Sequence, residues 1–69
     1  MIKHGRYRHY KGKDYEVIGV VRHSETFEEM VVYRALYGKR ELWVRPLKMF
    51  MENVNGVLQP RFRFIGDSE

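Results

Sequence analysis

Cysteine is absent from this 69-residue chain, and that absence removes disulfides, thiolate metal sites and cysteine nucleophiles together. Any metal would need His and carboxylate ligands. Long apolar runs are missing as well. Nothing approaches the roughly 20 residues that span a bilayer, and Met1-Ile2-Lys3-His4-Gly5-Arg6 lacks the apolar segment of a signal peptide. These two absences lead us to expect a cytoplasmic protein with no membrane partner. Linkers, repeats and low-complexity stretches are also lacking. Residues 1–69 therefore read as a single domain with an ordered core from about Gly5 to Ile65 and frayed ends at Met1 to His4 and Gly66 to Glu69.

What remains is a globular composition, 43% hydrophobic and 32% charged, in a chain small enough that folding buries only about 60% of the unfolded surface. The net charge of +4 is unevenly placed. Lys3, Arg6, Arg8, Lys11 and Lys13 all precede the first acid, Asp14, whereas Glu25, Glu28 and Glu29 cluster later. A basic segment interleaved with Tyr7, His9, Tyr10 and Tyr15 can meet phosphates. It can equally be a solvated strand edge, since charge at an edge prevents unwanted pairing.

Periodicity predicts strands. Tyr15 to Arg22 is β-branched and nearly continuous in apolar character, so it suits a strand that curls, with Gly19 as the place to bend. Met30 to Tyr37 alternates, setting Val31, Tyr33, Ala35 and Tyr37 on one face. Leu42 to Arg45 is a third strand, ended by Pro46, and a single helical turn follows over Pro46 to Phe50. Gly12 and Gly38 mark turns, and Asn55-Gly56, between strand arms Met51 to Val54 and Val57 to Ile65, is a hairpin signal because a type I′ turn needs positive φ at both positions. In the last strand Phe62 and Phe64 share a face opposite Arg61 and Arg63. Short strands with tight turns predict an all-β fold: a small SH3-like five-stranded antiparallel barrel with at most one short helical turn.

Several blocks occur in order along nearly the whole chain: Gly5-Arg6-Tyr7-Arg8-His9-Tyr10-Lys11-Gly12-Lys13, His23-Ser24-Glu25, Leu36-Tyr37-Gly38, Trp43-Val44-Arg45-Pro46 and Pro60-Arg61-Phe62. Together they resemble a family of small bacterial proteins catalogued only as a domain of unknown function. The resemblance implies a bacterial, cytoplasmic, single-domain protein and carries no activity with it.

Two constellations hold chemistry. His23-x-Glu25 puts an imidazole and a carboxylate on one side of an extended segment, where they can share a proton. A metal would require His9 from 14 residues away, and no metal site or cofactor is expected. A hydrogen-bonded structural loop is the other reading of the same residues. Trp43 and Arg45 lie on one side of their strand, as Tyr33 and Tyr37 do on theirs; if those sides meet, they form a slot of flat rings with a guanidinium at its rim. The alternative makes Trp43 and Tyr33 core residues. Arg45 and Arg61 each adjoin a proline that sets the backbone, which suits anion binding, or an ion pair with Glu25 or Glu52.

The expected protein is a non-enzymatic binding module, monomeric by assumption, using Tyr10, His23, Glu25, Trp43, Arg45 and Arg61 around one face. Nucleic acid, as RNA or single strands, is the leading partner, met by Lys3, Arg6, Arg8, Lys11 and Lys13. A peptide or protein segment held in an aromatic groove is the alternative. A third reading, an enzyme acting on a small molecule through the His23-Glu25 pair, stays open, because fold alone does not choose among them.

Overall fold

The computed structural model of the protein describes residues 2–52 and 61–67. The elements run β1 (Gly5–His9), β2 (Asp14–Arg22), β3 (Glu29–Ala35), β4 (Leu42–Pro46), α1 (Leu47–Met51) and β5 (Phe62–Gly66). They form one antiparallel sheet in the order β4-β3-β2-β1-β5. The all-β expectation of five antiparallel strands with at most one helical turn matches this among the described residues, although β1 was not among the strands read from sequence and Met51, expected in a hairpin arm, ends α1. The barrel, however, is not closed: β4 and β5 are the two edges of the sheet and do not pair with each other.

Closure stops short because α1 takes the gap. Pro46, with φ −53° and ψ 138°, turns the chain out of β4 into the single helical turn, and that turn drives Phe50 into the core at 1% exposure. The Phe50 ring lies flat on Phe62 of β5, with centroids 4.0 Å apart and planes 1° from parallel. A side-chain stack thus stands where backbone pairing would otherwise close the sheet. Tyr7, Tyr33 and Phe64 pack edge-on around this pair, at 5.4 Å for each of the Tyr7–Phe50, Tyr33–Phe50 and Tyr7–Phe64 contacts. Edge-to-face contact is the arrangement that ring quadrupoles favour.

The strand pleat sorts the residues onto the two faces. Val31, Tyr33 and Ala35 are buried on the concave side, while Met30, Val32 and Arg34 alternate toward the convex side. The predicted bend at Gly19 is present as a register shift between Val17 and Gly19 against β3, which curls the sheet over its core. Gly5 is held at φ 139°, and a Cβ there would lie 2.6 Å from the Gly66 carbonyl oxygen, so only glycine lets β1 and the end of β5 approach so closely.

Two readings need correction. Within the segment expected to fray, Ile2 to His4 is not simply frayed, because Ile2 is buried in the core cluster and the Tyr7 hydroxyl donates to the Lys3 carbonyl at 2.8 Å. A single isoleucine that covers the open end of a small core leaves no periodic trace in sequence. The strand read as Met30 to Tyr37 ends at Ala35, where the chain turns through Gly38 at φ 57° and Arg40 at φ 54°. The hairpin expected at Asn55-Gly56 lies outside the described residues.

Candidate functional site

On the concave side, Tyr15 of β2, Tyr33 of β3, Tyr37 beyond β3, and Trp43 and Arg45 of β4 line a cleft of about 210 Å³. The register explains the grouping. Tyr33 pairs with Trp43 and Val31 with Arg45, while Tyr15 pairs with Ala35, so all these side chains leave the sheet on one face. Tyr33 is the floor, 5% exposed; Trp43 is a wall, half exposed at the rim. The two readings of this pair thus divide, Tyr33 belonging to the core and Trp43 to the surface.

The polar atoms of the cleft are held by one another. The Tyr15 and Tyr37 hydroxyls share a hydrogen bond of 2.6 Å, and Arg45 Nε donates to the Tyr33 hydroxyl at 3.3 Å. Burial, followed by the hydrogen bond to Tyr37, pushes the Tyr15 phenol well above its ordinary range. The phenol stays neutral and serves as a wall and hydrogen-bonding group rather than as a base. The Arg45 guanidinium lies 5.7 Å from the Phe62 ring centroid, which fixes the cation over an aromatic face.

His9 and Arg61 extend the site along β1 and β5. The His9 ring packs against Phe62 at 4.9 Å and Tyr10 at 4.6 Å. Burial lowers its pKa, and the positive charges of Arg45, Arg61 and Lys11 lower it further. That direction reports a local excess of positive charge around the imidazole. Arg61 is anchored by backbone and side chain: its amide donates to the Glu52 carbonyl at 3.0 Å, its carbonyl accepts from Tyr10 at 2.9 Å, and Nη2 donates to Glu52 Oε2 at 2.8 Å. Its buried Nε finds no partner among the described residues. Lys13 Nζ sits over the Tyr37 ring at 4.6 Å and Lys11 Nζ near Tyr10 at 5.8 Å. Among the described residues no carboxylate lines the cleft.

The expected site residues therefore separate into groups. Trp43 and Arg45 share the cleft, and Tyr10 and Arg61 adjoin it through His9. His23 and Glu25 do not join them. They occupy the turn between β2 and β3, His23 eight residues beyond Tyr15 and so roughly 25 Å along the strand. There His23 Nδ1 accepts from the Glu25 and Thr26 amides at 3.0 and 3.3 Å, and the His23 amide donates to the Glu28 carbonyl at 2.8 Å. The imidazole is thus used to shape its own turn. Among the basic residues, Arg8 forms a two-point contact with Asp14 at 2.8 and 3.2 Å, Arg6 Nε donates to the Asp67 carbonyl at 3.3 Å, and Lys3 covers Phe64 at 4.9 Å. Arg6 and Arg8 alternate with the inward-facing Tyr7 and His9, so they point away from the cleft. Only Lys11 and Lys13 of that set lie beside it. Tyr15 and His9 were not assigned to the slot from sequence; the signal that places them is the β1–β2 pairing of Tyr7 with Tyr15, which sets His9 and Tyr15 on the concave face.

Fold and site together define a small all-β domain, an open antiparallel sheet with one helical turn, carrying an aromatic cleft edged by cations. The chain belongs to the DUF1653 family: the model of that family, described as a protein of unknown function, matches residues 5–64. It is similar to a member of the same family from Bordetella bronchiseptica, whose crystal structure matches with a TM-score of 0.86 at 38% identity, over 99% of this chain and 92% of that one. Among curated proteins none matches significantly.

Proposed function

We propose that the protein is a non-enzymatic binding module of the bacterial cytoplasm whose concave cleft takes a flat ring carrying negative charge, with single-stranded nucleic acid as the ligand. The observation that carries this reading is the combination in one place of Tyr37 and Trp43 walls and the Arg45 guanidinium, with no carboxylate among the described lining residues. One unpaired base stacks at the Trp43 rim, and its phosphates meet Arg45, Arg61, Lys11 and Lys13. A base gains about 1–3 kcal/mol from such a stack, and every base offers a π-face, so the module is tolerant of sequence. The absence of cysteine suits a reducing compartment, and the similar family member comes from a bacterium.

Anisotropy titration with mixed single-stranded RNA at about 50 mM salt tests the reading. Four phosphate contacts give a log-log salt slope of roughly −3 on single strands. Changing Lys11 and Lys13 to Ala flattens that slope, whereas Arg8→Ala leaves it close to its original value because Arg8 faces Asp14. Binding that ignores salt, or none at about 100 μM protein, removes the nucleic-acid reading and leaves the peptide-groove alternative, whose apolar anchors release no counterions.

A further inference from the structure

The phase of the backbone hydrogen bonds decides which groups of an edge strand stay open. The Ala35 amide donates to the Glu41 carbonyl at 2.9 Å, and Tyr33 and Val31 follow at alternate positions opposite Trp43 and Arg45. Antiparallel alternation then turns the backbone groups of Glu41, Trp43 and Arg45 toward β3, and those of Leu42 and Val44 point out of the sheet. No described strand pairs with that side of β4, and the Leu42 and Val44 side chains are each 55% exposed. Soluble proteins ordinarily blunt such an edge with charge, proline or a covering segment. Here Pro46 lies beyond the open groups and limits only how far a paired strand can extend.

We propose that this edge pairs with the same edge of a second copy of the chain, antiparallel about a two-fold axis at Trp43. With Trp43 opposite the second copy's Trp43 in a non-hydrogen-bonded position, Leu42 and Val44 exchange both backbone bonds with Val44 and Leu42 of the other copy, so every open amide and carbonyl of these residues is satisfied. On the concave face the register sets Glu41 opposite the second copy's Arg45, twice by symmetry, with ring against ring between them. On the convex face Leu42 meets Val44. The neighbouring registers are worse. Centring on Val44 asks Pro46 for an amide hydrogen it lacks, and centring on Arg45 sets two guanidinium groups against each other. The pattern Glu41-Leu42-Trp43-Val44-Arg45 is thus complementary to itself in charge, and the contact is isologous and closed.

Edges this short bury less than the roughly 1,200 Å² of a stable interface, so the pairing is weak and depends on concentration. Both concave clefts face the same side of one continuous sheet, with the two Trp43 rings as a shared wall between them. A strand bound in one cleft can continue into the next.

Because the chain has one tryptophan, its emission reads the contact directly. Between about 1 μM and about 1 mM protein, sedimentation mass rises toward two chains, Trp43 emission moves to the blue, and a far-ultraviolet exciton couplet from the facing indoles appears. Glu41→Arg and Arg45→Glu each abolish this, and an equimolar mixture of the two variants restores it as a heterodimer. Arg45 also holds the Tyr33 hydroxyl, so Leu42→Lys, which removes the convex-face contact without touching the core, provides an independent arm: loss of dimer at an unchanged melting temperature supports the pairing. A single-chain mass at about 1 mM, or a dimer that persists in both Glu41→Arg and Leu42→Lys, overturns it. So does a Val44 amide that shifts with an added extended peptide and not with protein concentration, which assigns the edge to a foreign strand.

Discussion

The cleft and the turn between β2 and β3 hold the same kinds of side chain and put them to opposite uses. Each combines imidazole, aromatic and charged groups. In the turn, His23 Nδ1 bonds two amides of its own loop and Thr26 Oγ1 accepts from the Glu28 amide at 3.2 Å; the polar atoms face inward on a few residues of chain. In the cleft the polar groups come from three strands and the turn after β3, and the tyrosine hydroxyls and Arg45 bond one another around open space. A constellation of reactive residue types is a site only where its hydrogen-bonding groups face a shared volume. By that criterion the His23-Glu25 pair shapes its own turn, and the aromatic cleft is the place proposed for a ligand.

The contrast is broken most severely by removing what supports the cleft. Phe50→Ala takes away the ring on which Phe62 stacks, and the cost expected for such a truncation is about 3–5 kcal/mol, enough to unfold much of a domain this small; urea denaturation followed by circular dichroism measures it. The folded variant Trp43→Ala keeps the sheet and loses the stacking wall. Binding of single-stranded RNA should fall by about 5- to 150-fold, the range expected from the loss of one base stack, while Glu25→Ala leaves affinity unchanged in the same anisotropy assay. Equal losses in the two variants would erase the distinction between cleft and turn.

A pH titration sharpens it. The His9 pKa is lowered in the fold from its ordinary 6.5, so the unfolded chain binds the proton more tightly. The stability that follows is fully present above about 6.5 and is lost as pH falls through the folded value. An anion held by Arg45 and Arg61 offsets their repulsion of the imidazolium and raises that pKa, so RNA affinity should rise several-fold between about pH 7 and pH 5 while the stability of the free protein declines. Opposite slopes of affinity and stability, absent in His9→Gln, are the signature. Parallel slopes would remove His9 from the site.

Smaller effects are expected at the turn. His23→Ala leaves two exposed amides to water and should cost about 0.5–1 kcal/mol of stability with no change in binding. Phe27 has φ 62° with its ring 66% exposed, a left-handed conformation that a bulky side chain resists. Phe27→Asn should gain a few tenths to about 1 kcal/mol, read as a rise in melting temperature. A loss instead would mean that the ring is held by a contact the exposed turn does not show.

Much of the fold was legible because alternation and turn chemistry act locally. Val31, Tyr33 and Ala35 are inward as their period requires, Gly19 bends β2, and Pro46 ends β4 and begins the one helical turn. The site was legible in part. Trp43, Arg45 and Tyr37 were read as a slot from parity alone, and Arg61 was read as either an anion binder or the partner of Glu52, which it is. His23 and Glu25 were grouped with them by residue type, a property that carries no distance. The five basic residues before Asp14 were grouped by count, yet Arg6 and Arg8 face away from His9 because neighbouring residues on a strand point to opposite sides.

Sequence by itself determined the three strands β2, β3 and β4 with their faces and the turn after Pro46, since each depends on residues a few positions apart; it did not mark β1 as a strand, because Gly5–His9 is short and mostly charged or aromatic. It also determined family membership, through blocks spread over residues 5–64. Tertiary structure alone decided that the sheet stays open, because a Phe50–Phe62 stack brings together residues 12 apart in sequence, across the gap between β4 and β5. It alone decided which cations gather at the cleft, because that depends on pairing β1 with both β2 and β5. Strand parity is written into neighbouring residues, whereas the meeting of His9, Arg45 and Arg61 exists only after the chain has closed long loops and offset their entropy with buried aromatic surface.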